Sequence, residues 1–253
     1  MGGTHVASAL AVGVAVAPLL GQHTPVGVML VAVVVGGWAL VPDLDHPSST
    51  ASRVFGPVTR LVSWLLRAVS RSVYAWTKGP RDEPCKGEHR HLSHTAVFAA
   101  ALGYGTRWLT GTYGRWAVAG VVLFGVILAT EALGDWIVLP PILAGSWWAA
   151  TDLPGFLAGL DGMAGWIGYA VALGCFVHCL GDALTESGCP FLWPLPIAGE
   201  TWYEIRPPAL LRFHTDCKFE RRFLFPAFLA TALVLLVWPY VTPLISRLST
   251  KGT

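Results

Sequence analysis

The sequence predicts an all-α protein, a polytopic transmembrane helical bundle of about six spans with an interfacial amphipathic helix and a re-entrant segment. Three observations lead there. Of the 253 residues, 54% are hydrophobic and only 13% are charged, against about 25% charged in soluble domains. Apolar stretches near the roughly 20 residues that cross about 30 Å of hydrocarbon recur along the chain. Charge is gathered into two connecting regions: Arg53, Arg60, Arg67, Arg71, Lys78, Arg81, Lys86 and Arg90 in one, and Arg206, Arg212, Lys218, Arg221 and Arg222 in the other. Such clustering marks both as candidates for the cytoplasmic side. The net charge of +2 is too small to point to nucleic acid as a partner.

The candidate spans, in order, are 5–21, 26–42, 92–110, 116–134, 162–184 and 223–246, within one integral membrane domain covering 1–253. Pro18 and Gly21 end the first, and Pro25 and Pro42 bound the second. No basic region precedes the first run, so it is expected to be retained rather than cleaved as a signal peptide. Residues 54–77 differ in kind. Val58, Leu61, Val62, Leu65, Leu66, Val69 and Val73 follow helical spacing while arginines take the other face, the pattern of a helix lying on the membrane surface. Residues 78–91 and 185–222 form polar loops. The stretch "WIVLPPILAGSWWAA" is short and contains two prolines, so it is the candidate re-entrant segment. Five cysteines without a C-x-x-C pair exclude a disulfide framework or zinc ribbon and read mostly as small buried residues.

Ionisable residues in or near spans are costly and mark function. His5 opens the first span, and Asp43, Asp45 and His46 close the second in "VPDLDHPSS". His89, His91 and His94 lead into the third in "HRHLSHT". Glu131 with Asp135, and His178 with Asp182, each stand four residues apart near span ends and so share a helical face. If the first span crosses and the second returns, the first three groups meet at one membrane face. His178 and Asp182 join them if the chain crosses again between 135 and 161. The same arrangement puts both basic regions on that face.

Plainer readings exist for each motif. "PDLDHPSS" also suits a capped helix end, and "HRHLSHT" a surface loop with histidines at the headgroup level. Glu131 and Asp135 suit a ligand, a pore or an interfacial role, and His23 reads as an exposed loop residue. Taken together, imidazoles and carboxylates without thiolates compose a site for a divalent metal, zinc foremost and manganese second, with one or two ions. Such a centre clamps a phosphoryl oxygen and acidifies water, and the reaction class is hydrolysis, most naturally of a phosphoester.

The motifs "GGTHVASALAVG", "VPDLDHPSS", "HRHLSHT" and "HCLGDALTESGCPFLWPL" together resemble the YdjM-like family of bacterial inner-membrane, metal-dependent hydrolases, known from a LexA-regulated member. That family is distantly similar to zinc-dependent phospholipase C and the single-strand nucleases. The resemblance implies ligands among His5, Asp43, Asp45, His89, His94, His178 and Asp182, with Asp45 as a metal bridge. It adds Thr215 and Glu220 as weaker candidates from "RFHTDCKFER", and leaves His91 either a further ligand or a residue of the entrance.

The leading expectation is therefore a membrane-bound hydrolase with its metal site at the cytoplasmic face, acting on an anionic lipid or lipid phosphate. Asp43 or Glu186 is the candidate general base, and basic residues around 53–71 attract headgroups. The rivals are a scaffold with a closed structural metal site and, behind it, a metal or proton transporter.

Overall fold

The structure is a computed structural model that describes residues 2–49, 51–54, 56–215 and 217–250, without the side chains at 135–138, 140, 141, 211 and 243–250. Among the described residues the chain forms α1 (Gly2–Val16), α2 (Pro25–Trp38), α3 (Pro57–Thr77), α4 (Ala96–Tyr113), α5 (Arg115–Leu133), α6 (Asp135–Thr151), α7 (Leu153–Met163), α8 (Ile167–Ala183) and α9 (Phe225–Thr250). Local chemistry sets several starts. Thr24 caps α2 by accepting from Gly27 N at 3.1 Å, with Pro25 at the first helical position. Thr95 caps α4 by accepting from Phe98 N at 3.1 Å. Asp152 does the same for α7 through Gly155 N at 2.9 Å.

Among the described residues, four helical stretches are long and apolar enough to cross a membrane, namely Gly2–Leu20, Pro25–Asp45, Arg115–Leu133 and Glu220–Thr242. The pair α7–α8, bent by 60°, makes a fifth if taken as one broken span. The sixth expected span, 92–110, is helical as α4 but is not among them. Its glycines, threonines and Arg107 dilute the apolar run.

The helices pack as a bundle in which α1 contacts α2 and α9, α2 contacts α5 and α8, and α4 contacts α8. Val6, Val31, Val34, Val35, Leu128, Ile167 and Val171 are fully enclosed between them. Trp38 donates its indole N–H to the Val121 carbonyl at 3.0 Å, which satisfies the one polar atom of a large core side chain. A Cβ at Gly37 would lie 1.9 Å from the Gly125 carbonyl oxygen. Helices α2 and α5 therefore meet backbone to backbone, the close approach by which membrane helices gain packing energy.

Arg115 at the start of α5 holds Asp161 of α7 through Nε at 3.0 Å and Nη2 at 2.6 Å. Arg107, near the end of α4, donates to the Gly165 carbonyl at 3.0 Å. These bonds place the α7–α8 junction at the end of the bundle opposite the Asp43 and His94 segments. Helix α6, about 25 Å long at 1.5 Å per residue, joins α5 to α7 and is not among the helices long and apolar enough to cross a membrane. The stretch expected to be broken by Pro140 and Pro141 is a continuous helix from Asp135 to Thr151.

Helix α3 turns its small polar side inward. Thr59, Ser63, Ser70 and Tyr74 are buried, whereas Val58, Leu61, Val62, Trp64, Leu65 and Val69 are exposed. Ser70 donates to the Gly87 carbonyl at 2.6 Å and the Tyr74 hydroxyl to that of Glu83, so α3 anchors the following polar loop. Loop 184–222 closes over the same end, where Trp202 stacks on Trp193, donates its backbone N–H to the Asp82 carboxylate at 3.0 Å and its indole N–H to Thr77 Oγ1 at 3.0 Å.

Candidate metal centre

Five chain segments deliver polar side chains to one end of the bundle. The tight helical turn Pro42–Asp45 follows α2 and separates its two aspartates, leaving Asp43 partly exposed and Asp45 fully buried. Asp45 is occupied. It accepts from Ser93 Oγ at 2.6 Å and from the Arg90 backbone N–H at 3.0 Å, and lies 2.6 Å from His89 Nδ1. His94 stands at the end of the turn Leu92–His94, with Nδ1 3.5 Å from Asp45 Oδ2. His178 and Asp182 project from the last turns of α8, both buried. His5 reaches them from α1, its ring stacked on that of His178 at 4.0 Å. Gly181 makes this approach possible, since a Cβ there would lie 2.9 Å from His5 Nδ1.

Four donor atoms converge. His94 Nε2 and His178 Nε2 are 3.2 Å apart. Asp182 Oδ2 is 3.2 Å from the first and 3.6 Å from the second. Asp43 Oδ1 is 3.9 Å and 3.7 Å from the same two nitrogens. Donors bound tetrahedrally to zinc at about 2.0–2.2 Å stand roughly 3.3–3.6 Å from one another, and each aspartate oxygen lies near that distance from the two histidine nitrogens, Asp43 forming one group of possible ligands with His94 and His178. Asp182 Oδ2 is buried without an aligned hydrogen-bond donor, and so is His178 Nδ1 without a partner. A buried carboxylate oxygen in this state calls for a cation. The donor set thus fits a divalent metal, and it satisfies the second requirement for ligating histidines as well. Asp45 backs His94 Nδ1 and leaves Nε2 turned to the cage, a carboxylate–histidine pairing that raises ligand basicity. His5 Nε2, 3.3 Å from Asp182 Oδ1, makes with His178 and Asp182 a second group of possible ligands. Both groups contain His178.

A cavity of about 460 Å³ opens beside Asp43, lined also by His46, His89, Arg90, Glu131 and Thr215. Glu131 and Thr215 thus face the site without joining the donor cage. Glu220 is buried against α1, where it accepts from Thr4 Oγ1 at 2.7 Å. The side chain of Asp135 lies outside the described residues. Glu186 is exposed and paired with His214 at 3.0 Å, away from the cavity lining. His91 belongs elsewhere as well. Its ring sits against Tyr74 and Trp202, Nδ1–H donates to the His89 carbonyl at 2.8 Å, and burial pushes it below the ordinary imidazole range. His46 is likewise lowered, by burial and by the neighbouring His89. Cys175, Cys179 and Cys189 are buried, Cys85 is exposed, and His23 is exposed.

Sequence reasoning passed over three residues. Ser93 bonds Asp45, Thr185 bonds the Asp182 carbonyl at 2.7 Å, and Arg90 bridges Asp45 and Asp182. Arg90 adopts a left-handed backbone (φ 54°), which costs a non-glycine residue on the order of 1–3 kcal/mol. A cation between two candidate ligands in "HRH" was the available signal.

A helical membrane bundle with a buried histidine–aspartate cage at one end is the class of protein that fold and site define. The sequence model of one family, described as YdjM inner membrane protein, matches residues 1–245. The chain belongs to this family of inner membrane proteins. No curated protein and no solved structure matches it.

Proposed function

We propose that this protein is a membrane-bound hydrolase that holds a divalent ion, zinc by its donor set, and cleaves a phosphoester of a lipid or lipid-linked substrate. The observation that carries the reading is the four-donor cage of Asp43, His94, His178 and Asp182, set beside a cavity of about 460 Å³. Two imidazoles and two carboxylates suit zinc better than manganese, which favours oxygen-rich octahedral sites. Because His178 is common to both possible ligand groups, one ion is the simplest occupancy, with His5 supporting Asp182. A cavity at the cage favours an open catalytic site over a closed structural one.

A divalent ion there supplies Lewis acidity to a phosphoryl oxygen and lowers the pKa of water. The surrounding residues do the rest. Arg90 and His5 hold Asp182 Oδ1, which keeps Oδ2 turned to His94 and His178. Asp45 works behind His94 as an orienting carboxylate rather than as the bridge between metals. His89, with Nδ1 fixed on Asp45, takes a proton at Nε2 from the attacking water and returns one to the leaving oxygen. Glu131 lines the cavity as a second proton acceptor. The apolar outer face of α3 lies in the headgroup region and brings lipid to the cavity mouth. On this reading α6 and α4 complete the crossings, and the charge bias of the two basic regions favours the cytoplasmic face for the site.

The test is a metal analysis of protein purified in detergent, followed by turnover assays on phospholipids and lipid phosphates with and without chelator. Expected are about one zinc per chain and release of phosphate or headgroup that the chelator abolishes. His178→Ala should lose both together. A chain that neither carries nor takes up a divalent ion would sink the reading.

A further inference from the structure

We infer that Arg90 is the anion-binding residue of the cavity, and that the group it receives is a tetrahedral oxyanion, a phosphate or phosphoester, set between its guanidinium and the His94–His178 cage. The inference rests on the metal reading above and adds the charge of the ligand, which metal ligands alone do not specify.

Arg90 is the one lysine or arginine among the described residues lining the cavity, whose other charged groups, Asp43 and Glu131, are acidic. An anion entering there meets repulsion from both carboxylates, so its attraction must come from Arg90 and the bound ion. The side chain is held ready for this. Its backbone N–H is fixed on Asp45 Oδ2 at 3.0 Å, Nη1 donates to Thr185 Oγ1 at 3.2 Å, and Nη2 donates to Asp182 Oδ1 at 3.2 Å. These use two of the five guanidinium N–H groups and leave a planar fork of donors for oxygens of a ligand. The left-handed backbone at Arg90 is the conformation that turns its N–H to Asp45 while its side chain reaches Asp182. Asp182 supplies the link to the cage, because Oδ1 takes the guanidinium while Oδ2 faces His94 and His178. Guanidinium and cage thus flank a single carboxylate, and one oxyanion can touch both.

The probe is inorganic phosphate, titrated calorimetrically into full-length, zinc-loaded protein in phosphatidylcholine nanodiscs. Wild type should bind it, and Arg90→Gln should weaken binding by at least about tenfold when both proteins are saturated with zinc, as expected for losing a charge-assisted hydrogen bond. Arg90→Lys, which keeps the charge but not the fork, should fall between them. Nanodiscs doped with phosphatidic acid separate the sources: competition assigns the oxyanion to a lipid, and undiminished binding to a soluble phosphate. Equal phosphate affinity in wild type and Arg90→Gln overturns the inference, as does loss of zinc in both variants, which would make Arg90 structural. Failure of the wild type to take up zinc would instead count against the metal reading. Arginine-dependent phosphate binding by the metal-free protein would then leave Arg90 in its role.

Discussion

Asp43 and Asp45 stand two residues apart and play different parts. In the tight turn Pro42–Asp45 a step of two residues rotates the side chain by about 240° at three residues per turn. Asp43 therefore faces the cage and Asp45 faces His89, Ser93 and the Arg90 amide. Asp43→Asn should weaken zinc binding more than Asp45→Asn, whose loss should be about 10–100-fold, the usual effect of removing a carboxylate behind a ligating histidine. Competition against a chromophoric chelator measures both, and the reverse order would return Asp45 to the ligand set. The motif announced a site but not this division of labour, since neighbouring aspartates look alike until the turn type is known. His91 is the converse case. The motif left it either a further ligand or a residue of the entrance, and its ring sits against Tyr74 and Trp202.

Among the elements, α3 was legible from periodicity, and its outward apolar face follows from which side meets the protein. Ser63 and Ser70 pack inward because small residues allow the helix to lie close to the loop it anchors. Spin labels on cysteines replacing Leu61 and Leu65 should show strong relaxation by lipid-soluble oxygen in nanodiscs, and labels at Arg60 and Arg71 relaxation by a water-soluble agent. Equal behaviour of both pairs would remove α3 from the interface. Helix α6 was harder to read. Two prolines argued for a break, yet the helix continues through them, and its direction emerges only from the Arg115–Asp161 pair at the far end.

For the molecule as a whole, the parity of crossings and the charge bias make a joint prediction. Cys85 is exposed in the polar loop at the site end, while Cys175, Cys179 and Cys189 are buried. A membrane-impermeant maleimide should label Cys85 in inverted inner-membrane vesicles and leave intact spheroplasts unlabelled, with Cys85→Ser as the control. Labelling of spheroplasts alone would turn the site to the opposite face. The sequence by itself determined that the chain is a helical membrane protein and that His5 and the motifs around Asp43 and His94 belong to one end, because hydrophobic run length is a property of the chain alone. How α8 packs decided that His178 and Asp182 join them. Tertiary structure decided which oxygen meets which nitrogen, that Glu186 stands apart, and that Arg90 joins the site. Those outcomes depend on the rotation within a four-residue turn and on how closely glycine-bearing helices approach, as at Gly181 against His5.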